Sequence, residues 1–326
     1  MTKVAILYKT TAKVPMVIEP WHVEKIRETI QGGEVIHVET EEELLAQNFN
    51  ADILLTWGQL TPTEYCRSAT NLKWIHVLSA GVEGLMKIDF DRSKLKVTNS
   101  KGIHGLAMSE FTMWYILSFL KGFPLLYRQQ QNKVWQKPNN PGPQECLGKT
   151  VGIIGMGDIG KEVARKAKFF GMNVLGVKRR PQPTEYVDQM YSLAEVNTVL
   201  EQSDFVVILV PLTSESYHLI NEEKLRKMKN SAVIINIGRG PVIDEQALIK
   251  VLEEGVITGA ALDATEVEPL DKNSPLWGMP NVIISPHMSA DSPLYMSRAI
   301  DVFCKNIRLY LDGKELDNQI NFEVKY

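Results

Sequence analysis

The sequence has little cysteine. Cys66, Cys146 and Cys304 are its only three, they lie far apart, and no C-x-x-C pair occurs. That excludes a disulfide framework and a thiolate zinc site, and it points to a reducing compartment, the cytoplasm. No bound metal is expected. Long hydrophobic runs are absent as well. The longest, residues 111–120, has about half the roughly 20 residues that a bilayer helix needs. The opening residues, MTKVAILY, read as a strand and lack the apolar core and small-residue cleavage site of a signal peptide. Charge of one sign is not in excess: 36 Lys plus Arg face 39 Asp plus Glu, a net charge of -3. There is no global electrostatic case for nucleic acid or for an anionic membrane surface. Repeats with a period of about 20–50 residues are lacking too, which excludes a solenoid. What remains is 44% apolar and 23% charged residues in a chain of 326, ordinary for a globular protein of two domains.

The first hundred residues alternate short apolar runs with amphipathic stretches. Residues 4–8, 34–38, 52–57, 73–77 and 96–98 read as strands, and 24–30 and 41–47 as helices. Such alternation predicts a mostly parallel sheet with helices on its faces. A long helix is expected over 108–131, kinked or ended near Gly122-Phe123-Pro124. Residues 137–143, KPNNPGP, are a breaker-rich loop. A second series then begins. Six apolar runs, 151–154, 173–177, 205–209, 232–237, 259–263 and 282–285, alternate with crossover stretches such as 161–170 and 244–254. That is the pattern of a doubly wound nucleotide-binding sheet. Residues 293–311 have helical spacing.

Gly155-Met156-Gly157-Asp158-Ile159-Gly160 follows the first strand of that series and opens a helix. In a dinucleotide site Gly155 would allow the tight turn, Gly157 would let a pyrophosphate approach the backbone, and Gly160 would let helix and strand pack closely. Asp158 is discordant beside phosphates, unless it faces away and favours the positive end of the helix. An NAD site also wants an acid at the end of the second strand, for the ribose 2′-hydroxyl. Here the strand runs into Lys178, Arg179 and Arg180. Cations suit a 2′-phosphate, so NADP(H) is favoured over NAD(H).

Three further residues follow strand ends: Arg239 in Gly238-Arg239-Gly240, Glu268 before Pro269, and His287 after Pro286. Ligands of open parallel sheets bind beyond the carboxyl ends of the strands, so all three can reach one crevice. Arg can polarise a carbonyl and hold a carboxylate, His can deliver a proton, and an acid can keep His charged. Singly, Arg239 reads equally as a surface ion-pair partner, Glu268 reads better as a solvated loop acid, and His287 reads also as a capped core histidine. The joint placement is what lifts them. His22, His37, His76, His104 and His218 keep the core or surface reading.

With these motifs the chain resembles the D-isomer-specific 2-hydroxyacid dehydrogenase family, and most of all its glyoxylate/hydroxypyruvate reductase-like branch. The resemblance rests on Gly155–Gly160, Gly-Arg-Gly, Asp263 with Glu268-Pro269, and Pro286-His287, and it spans nearly the whole chain. It implies an α/β protein of two doubly wound parallel-sheet domains. A flavodoxin-like catalytic domain would take residues 1–100 and 290–326, and a Rossmann cofactor domain 101–289, with the substrate cleft between them. It implies catalytic roles for Arg239, Glu268 and His287, and a nicotinamide contact for Asp263. Ile159, Pro211, Ile237 and Gly238 would complete the cofactor set. Backbone N–H groups of Ser79, Ala80 and Gly81 would take the substrate carboxylate. It also implies a homodimer through the cofactor domain, with Trp135 either reaching the partner's active site or anchoring its own loop. Two departures stand out. Lys178 replaces the acid of NAD-using relatives, and Met288-Ser289-Ala290 follows His287 where many relatives have a glycine.

The resulting expectation is an NADPH-linked reductase that converts a small 2-oxo acid, glyoxylate or hydroxypyruvate, to the D-2-hydroxy acid. Two alternatives stand beside it. One is an NAD-linked dehydrogenase of the 3-phosphoglycerate or D-lactate type, against which the basic cluster speaks. The other is a nucleotide-sensing, corepressor-like binding protein, against which the lack of long flanking tails speaks.

Overall fold

The computed structural model describes residues 1–9, 16–82, 84–88, 95–137 and 142–320. Residues 138–141 of the breaker-rich loop and residues 321–326 of the expected catalytic domain lie outside them. The chain divides into two compact units, 1–103 with 291–326, and 104–290.

The first unit runs β1 (Lys3–Leu7), α1 (Pro20–Thr29), β2 (Glu34–Val38), α2 (Glu41–Ala46), β3 (Ile53–Thr56), α3 (Thr63–Ser68), β4 (Trp74–Val77) and β5 (Lys96–Asn99). Its five strands are all parallel, in the order β2-β1-β3-β4-β5. That is the flavodoxin-like order. Successive side chains of a strand point to opposite faces. Val4 and Ile6 enter one core layer and Ala5 and Leu7 the other, so both faces are buried and the strand reads as an unbroken apolar run. The last helix, Tyr295–Leu311, closes one face. Its Met296, Ala299, Ile300, Phe303, Cys304 and Ile307 are buried at helical spacing. Helix α1 starts earlier than its apolar spacing indicates. Pro20 opens it, and His22 Nδ1 accepts the Glu19 N–H at 2.9 Å. Helix α3 buries only Tyr65 and is too short to show a period.

The second unit runs α4 (Gly105–Leu120), α5 (Phe123–Gln131), β6 (Thr150–Ile154), α6 (Asp158–Phe169), β7 (Asn173–Val177), β8 (Gln189–Tyr191), α7 (Val196–Gln202), β9 (Phe205–Ile208), α8 (Glu222–Leu225), β10 (Val233–Asn236), α9 (Glu245–Glu253), β11 (Gly259–Leu262) and β12 (Val282–Ile284). The sheet is parallel throughout, in the order β12-β11-β10-β9-β6-β7-β8. Strand order reverses between β6 and β9, the place where open α/β sheets bind ligands. The seventh strand, β8, is a short polar edge that six apolar runs do not reveal. Val206 and Ile208 of β9 face one layer, and Phe205 and Val207 the other. The stretch 108–131 is two helices, because Gly122 adopts φ +71° and Pro124 begins the next turn. Helix α5 buries none of its residues, and Phe123, Leu125, Leu126 and Tyr127 are exposed. Among the described residues no helix is long and apolar enough to cross a membrane, and no cluster of His, Cys, Asp or Glu could hold a metal ion.

Candidate active site

The glycine turn joins β6 to α6 and is tied to β7. The N–H groups of Gly155 and Met156 both donate to the Val177 carbonyl, at 3.1 and 3.0 Å. Gly155 has φ +113°, and a Cβ there would lie 2.6 Å from the Leu209 carbonyl carbon. A Cβ on Gly160 would lie 2.7 Å from the Gly155 oxygen, so helix and turn touch backbone to backbone. Over Gly157 nothing lies within 4 Å. No side chain caps the first turn of α6, whose N–H groups face outward as an anion site. A pyrophosphate fits this open, uncapped turn. Asp158 is exposed at the first helical position, and Ile159 is half-buried.

Lys178, Arg179 and Arg180 follow β7 directly. Lys178 is half-buried, and its N–H donates to Tyr191 at 3.0 Å. Arg180 is exposed. The Arg179 guanidinium bonds Glu215 at 2.7 Å, with both side chains 68% exposed. Pro211 lies in the turn after β9. Its carbonyl accepts the Ser216 hydroxyl at 2.6 Å, and the same hydroxyl accepts the Thr213 N–H at 2.7 Å. Ile237 is buried and Gly238 half-buried after β10.

Arg239, Glu268 and His287 follow the adjacent strands β10, β11 and β12. His287 Nδ1 lies 2.7 Å from Glu268 Oε2. A carboxylate only accepts, so Nδ1 carries a proton, and Nε2 is the ring nitrogen that this bond does not use. The hydrogen bond to Glu268 raises the His287 pKa above its ordinary value. Burial and the Arg239 charge oppose it, and the charges of Glu268 and Asp263 add to it. Burial pushes Glu268 upward, but the hydrogen bond and charge of His287, the Thr265 N–H and the Arg239 charge hold it below the usual carboxylate range. Arg239 therefore acts electrostatically on both partners. Its guanidinium also donates to the Gly238 carbonyl at 3.0 Å.

Asp263 is 2% exposed. Its Oδ1 accepts the Met288 N–H at 2.9 Å and the Ser285 hydroxyl, and its Oδ2 accepts the Ser289 N–H at 2.9 Å. The Asp263 carbonyl accepts the His287 N–H at 2.9 Å. The aspartate thus shapes the loop that holds His287 at φ +52°. Three supports were invisible in the sequence. Tyr115, on α4, bonds Ser285 at 2.6 Å. Ser285 in turn donates its hydroxyl hydrogen bond to Asp263. Buried Asn236 knits the Arg239 loop: its Nδ2 donates to the Arg239 and Ala264 carbonyls at 3.2 and 3.3 Å, and its Oδ1 accepts the Gly238 N–H at 3.1 Å. The one available signal was a polar residue ending an apolar run.

In the first unit, Ser79, Ala80 and Gly81 follow β4. The Ser79 hydroxyl donates to the Gly81 carbonyl at 2.7 Å, and Asn99 Nδ2 donates to the Ala80 carbonyl at 2.7 Å. Both carbonyls are thereby occupied. Among the described residues no acceptor takes the N–H of Ala80 or Gly81. Beneath the loop lies buried His76. Ser100 donates to the Val77 carbonyl, so it receives His76 Nε2–H at 3.1 Å, and Nδ1 accepts from Thr98 at 2.7 Å. Burial lowers the His76 pKa to about 3. Trp135, in the second unit, is fully exposed.

Residues 113–289 match the sequence model of the D-isomer specific 2-hydroxyacid dehydrogenase NAD binding domain. A glyoxylate reductase of Thermofilum pendens is 37% identical over 292 residues, 87% of this chain and 86% of that protein. Two solved structures superpose along the chain. One is a D-isomer specific 2-hydroxyacid dehydrogenase family protein from Aeromonas salmonicida, with TM-score 0.85, 32% identity and coverage of 98% of this chain and 99% of that one. The other is an NADPH-dependent glyoxylate/hydroxypyruvate reductase from Sinorhizobium meliloti, in complex with NADP and sulfate. Its TM-score is 0.82, its identity 27%, and the match covers 100% of both chains.

Proposed function

The chain belongs to the D-isomer-specific 2-hydroxyacid dehydrogenase family, an NAD(P)-dependent oxidoreductase of 2-hydroxy acids, and from that premise we propose that it reduces a small 2-oxo acid of the glyoxylate or hydroxypyruvate kind to the D-2-hydroxy acid with NADPH. The observation that carries the reading is the His287–Glu268 pair at 2.7 Å, with Arg239 acting on both.

The dinucleotide would be held by the turn Gly155–Gly160 with Ile159, by Pro211, Ile237, Gly238 and Asp263, and by Lys178, Arg179 and Arg180 at the adenosine ribose. It supplies a hydride when bound. The protein's part is to bind, orient and move one proton. Arg239 grips the acid and carries charge that develops on the carbonyl oxygen. His287 donates its Nε2 proton to that oxygen, and Glu268 keeps the ring charged until it does. Ser79, Ala80 and Gly81 receive the substrate carboxylate on N–H groups whose own carbonyls are turned away and bonded.

The NADP(H) preference rests on Lys178–Arg180. The S. meliloti relative, bound to NADP, supports it by likeness. NAD(H) remains the alternative cofactor. The working form would be a homodimer built through the second unit. Its support is the exposed apolar set Phe123, Leu125, Leu126 and Tyr127 with Trp135. We place the protein in the cytoplasm, where free Cys66, Cys146 and Cys304 would stay reduced. The test is oxidation of NADPH and of NADH by purified protein against a panel of 2-oxo acids. NADPH with glyoxylate or hydroxypyruvate should give the highest kcat/KM. Turnover confined to NADH and a 3-phosphorylated 2-oxo acid or pyruvate would select the rival dehydrogenase, and no turnover would select a binding protein.

A further inference from the structure

The proposed chemistry leaves one half-buried histidine unused. His218 stands between β9 and α8, with its backbone at φ +48°, a region costly for a residue with a side chain. His287 is held in the same way, and each ring is bonded to a glutamate of one loop. His218 Nε2 lies 2.9 Å from Glu266 Oε1, two residues before Glu268. Glu266 is itself clasped. Its Oε2 accepts the Glu245 N–H at 3.2 Å, and its N–H donates to the Glu245 carboxylate at 2.9 Å.

The backbone of His218 reaches the other functional loop. Its N–H donates to the Pro241 carbonyl at 2.9 Å, two residues beyond Arg239. Ile220 N–H donates to Val242, and Asp244 N–H to Ile220, both at 3.0 Å. The segment therefore runs as a short parallel bridge beside 241–244. A Cβ on Gly240 would lie 1.8 Å from the Thr265 oxygen, so the Arg239 and Glu268 loops press backbone to backbone. Tyr217 stacks on the His218 ring, with centroids 4.0 Å apart and planes 16° apart.

We propose that His218, acting through Glu266, is a positioning residue that sets the Arg239 loop against the Glu268 loop. The inference rests on the reading that Arg239 and Glu268 serve oxo-acid reduction. Gly240 lets the two loops touch, and Asn236 bonds the Arg239 and Ala264 carbonyls at their bases. The His218 ring adds a side-chain link farther out, because its main chain is bonded to the Arg239 side and its Nε2 to Glu266 on the Glu268 side. Misplacing a reacting group by about 1 Å can cost on the order of 100-fold. The turn Gly155–Gly160 makes none of these contacts, so cofactor binding should not depend on them.

The test compares His218→Phe, which keeps the ring and its stack but cannot bond Glu266, with His218→Gln, which returns an N–H donor. His218→Ala is measured beside them, so that misfolding of one leaves a second. Read out are kcat and KM for glyoxylate, NADPH affinity by fluorescence, and Tm. His218→Phe should lose about tenfold or more in kcat/KM, with NADPH affinity within about twofold of wild type. His218→Gln should recover to within about threefold. The inference is overturned if His218→Phe keeps wild-type kcat/KM, if only Tm falls, or if Gln is as impaired as Phe. Arg239→Ala separates the two levels. Full activity in Arg239→Ala sinks the reading of the site, whereas loss there with wild-type activity in His218→Phe sinks only the role of His218.

Discussion

Replacing Asp263 by asparagine tests how the histidine loop is held. The carboxylate takes three donors from residues 285–289: the Ser285 hydroxyl, the Met288 N–H and the Ser289 N–H. An amide offers one oxygen and two donors of its own. In the cheaper orientation that oxygen keeps Met288 and Ser285, and the NH2 group confronts the buried Ser289 N–H. One hydrogen bond to a charged acceptor is then lost and one donor is stranded. Such a bond contributes about 1.5–3 kcal/mol. The opposite orientation loses two bonds and is worse. For a unit the size of 104–290, each kcal/mol moves Tm by roughly 2–4 °C, so Asp263→Asn should melt about 3–12 °C lower. Because the same loop sets the backbone of His287, glyoxylate reduction should also fall, by about tenfold to 100-fold. Differential scanning calorimetry and initial rates measure both. A Tm within about 1 °C of wild type together with an unchanged rate would refute the idea that Asp263 holds this loop.

In the proposed mechanism reduction draws on protonated His287, so kcat/KM should be flat at low pH and fall as pH rises through a pKa that Glu268 holds above the ordinary value. Glu268→Gln should move that fall to lower pH, and a limb that stays put in a kcat/KM–pH profile would deny the coupling. Arg179→Ala should weaken NADPH by about tenfold or more while sparing NADH, as read from kcat/KM with each cofactor. Glu215→Gln releases Arg179 from an exposed ion pair worth at most about 1 kcal/mol, so NADPH should gain no more than about fivefold; equal changes with both cofactors would remove the pair from 2′ recognition. Buried neutral His76 has its pKa depressed to about 3 against an unfolded value near about 6.5. Its contribution is complete above the unfolded value and is lost as pH falls towards the folded one. Urea unfolding should show lower stability at pH ~5 than at pH ~7, with a smaller difference in His76→Gln; equal differences would assign the acid sensitivity elsewhere.

The strands were readable because both faces of each sheet are covered. Val4 to Leu7 and Phe205 to Ile208 are buried without a break, and continuous apolar runs are what a parallel sheet demands. The glycine turn was readable because its spacing is a steric requirement, imposed at Gly155 and Gly160 by backbone that leaves no room for a Cβ. Arg239, Glu268 and His287 were readable as a group because each follows a strand. Their supports were not. Tyr115 and Ser285 meet across 170 residues of chain, and nothing local to either foretells it. Asn236 looks like the polar end of an apolar run until its three backbone partners are known. Strand β8 has three residues with only Tyr191 buried, which is too little to leave a period. The pairing of Arg179 with Glu215 is likewise a matter of how two loops approach, which composition does not encode.

The central claim, that Arg239 and the His287–Glu268 pair reduce a 2-oxo acid, is tested most directly by glyoxylate-driven NADPH oxidation in wild type and Arg239→Lys at matched protein concentration. Lysine keeps the charge and loses the planar two-point grip. Turnover in the wild type is predicted, with kcat/KM in the lysine variant down by about tenfold or more and NADPH affinity retained. A lysine variant within about twofold of wild type, or a wild type that leaves NADPH unoxidised with every 2-oxo acid offered, would contradict it.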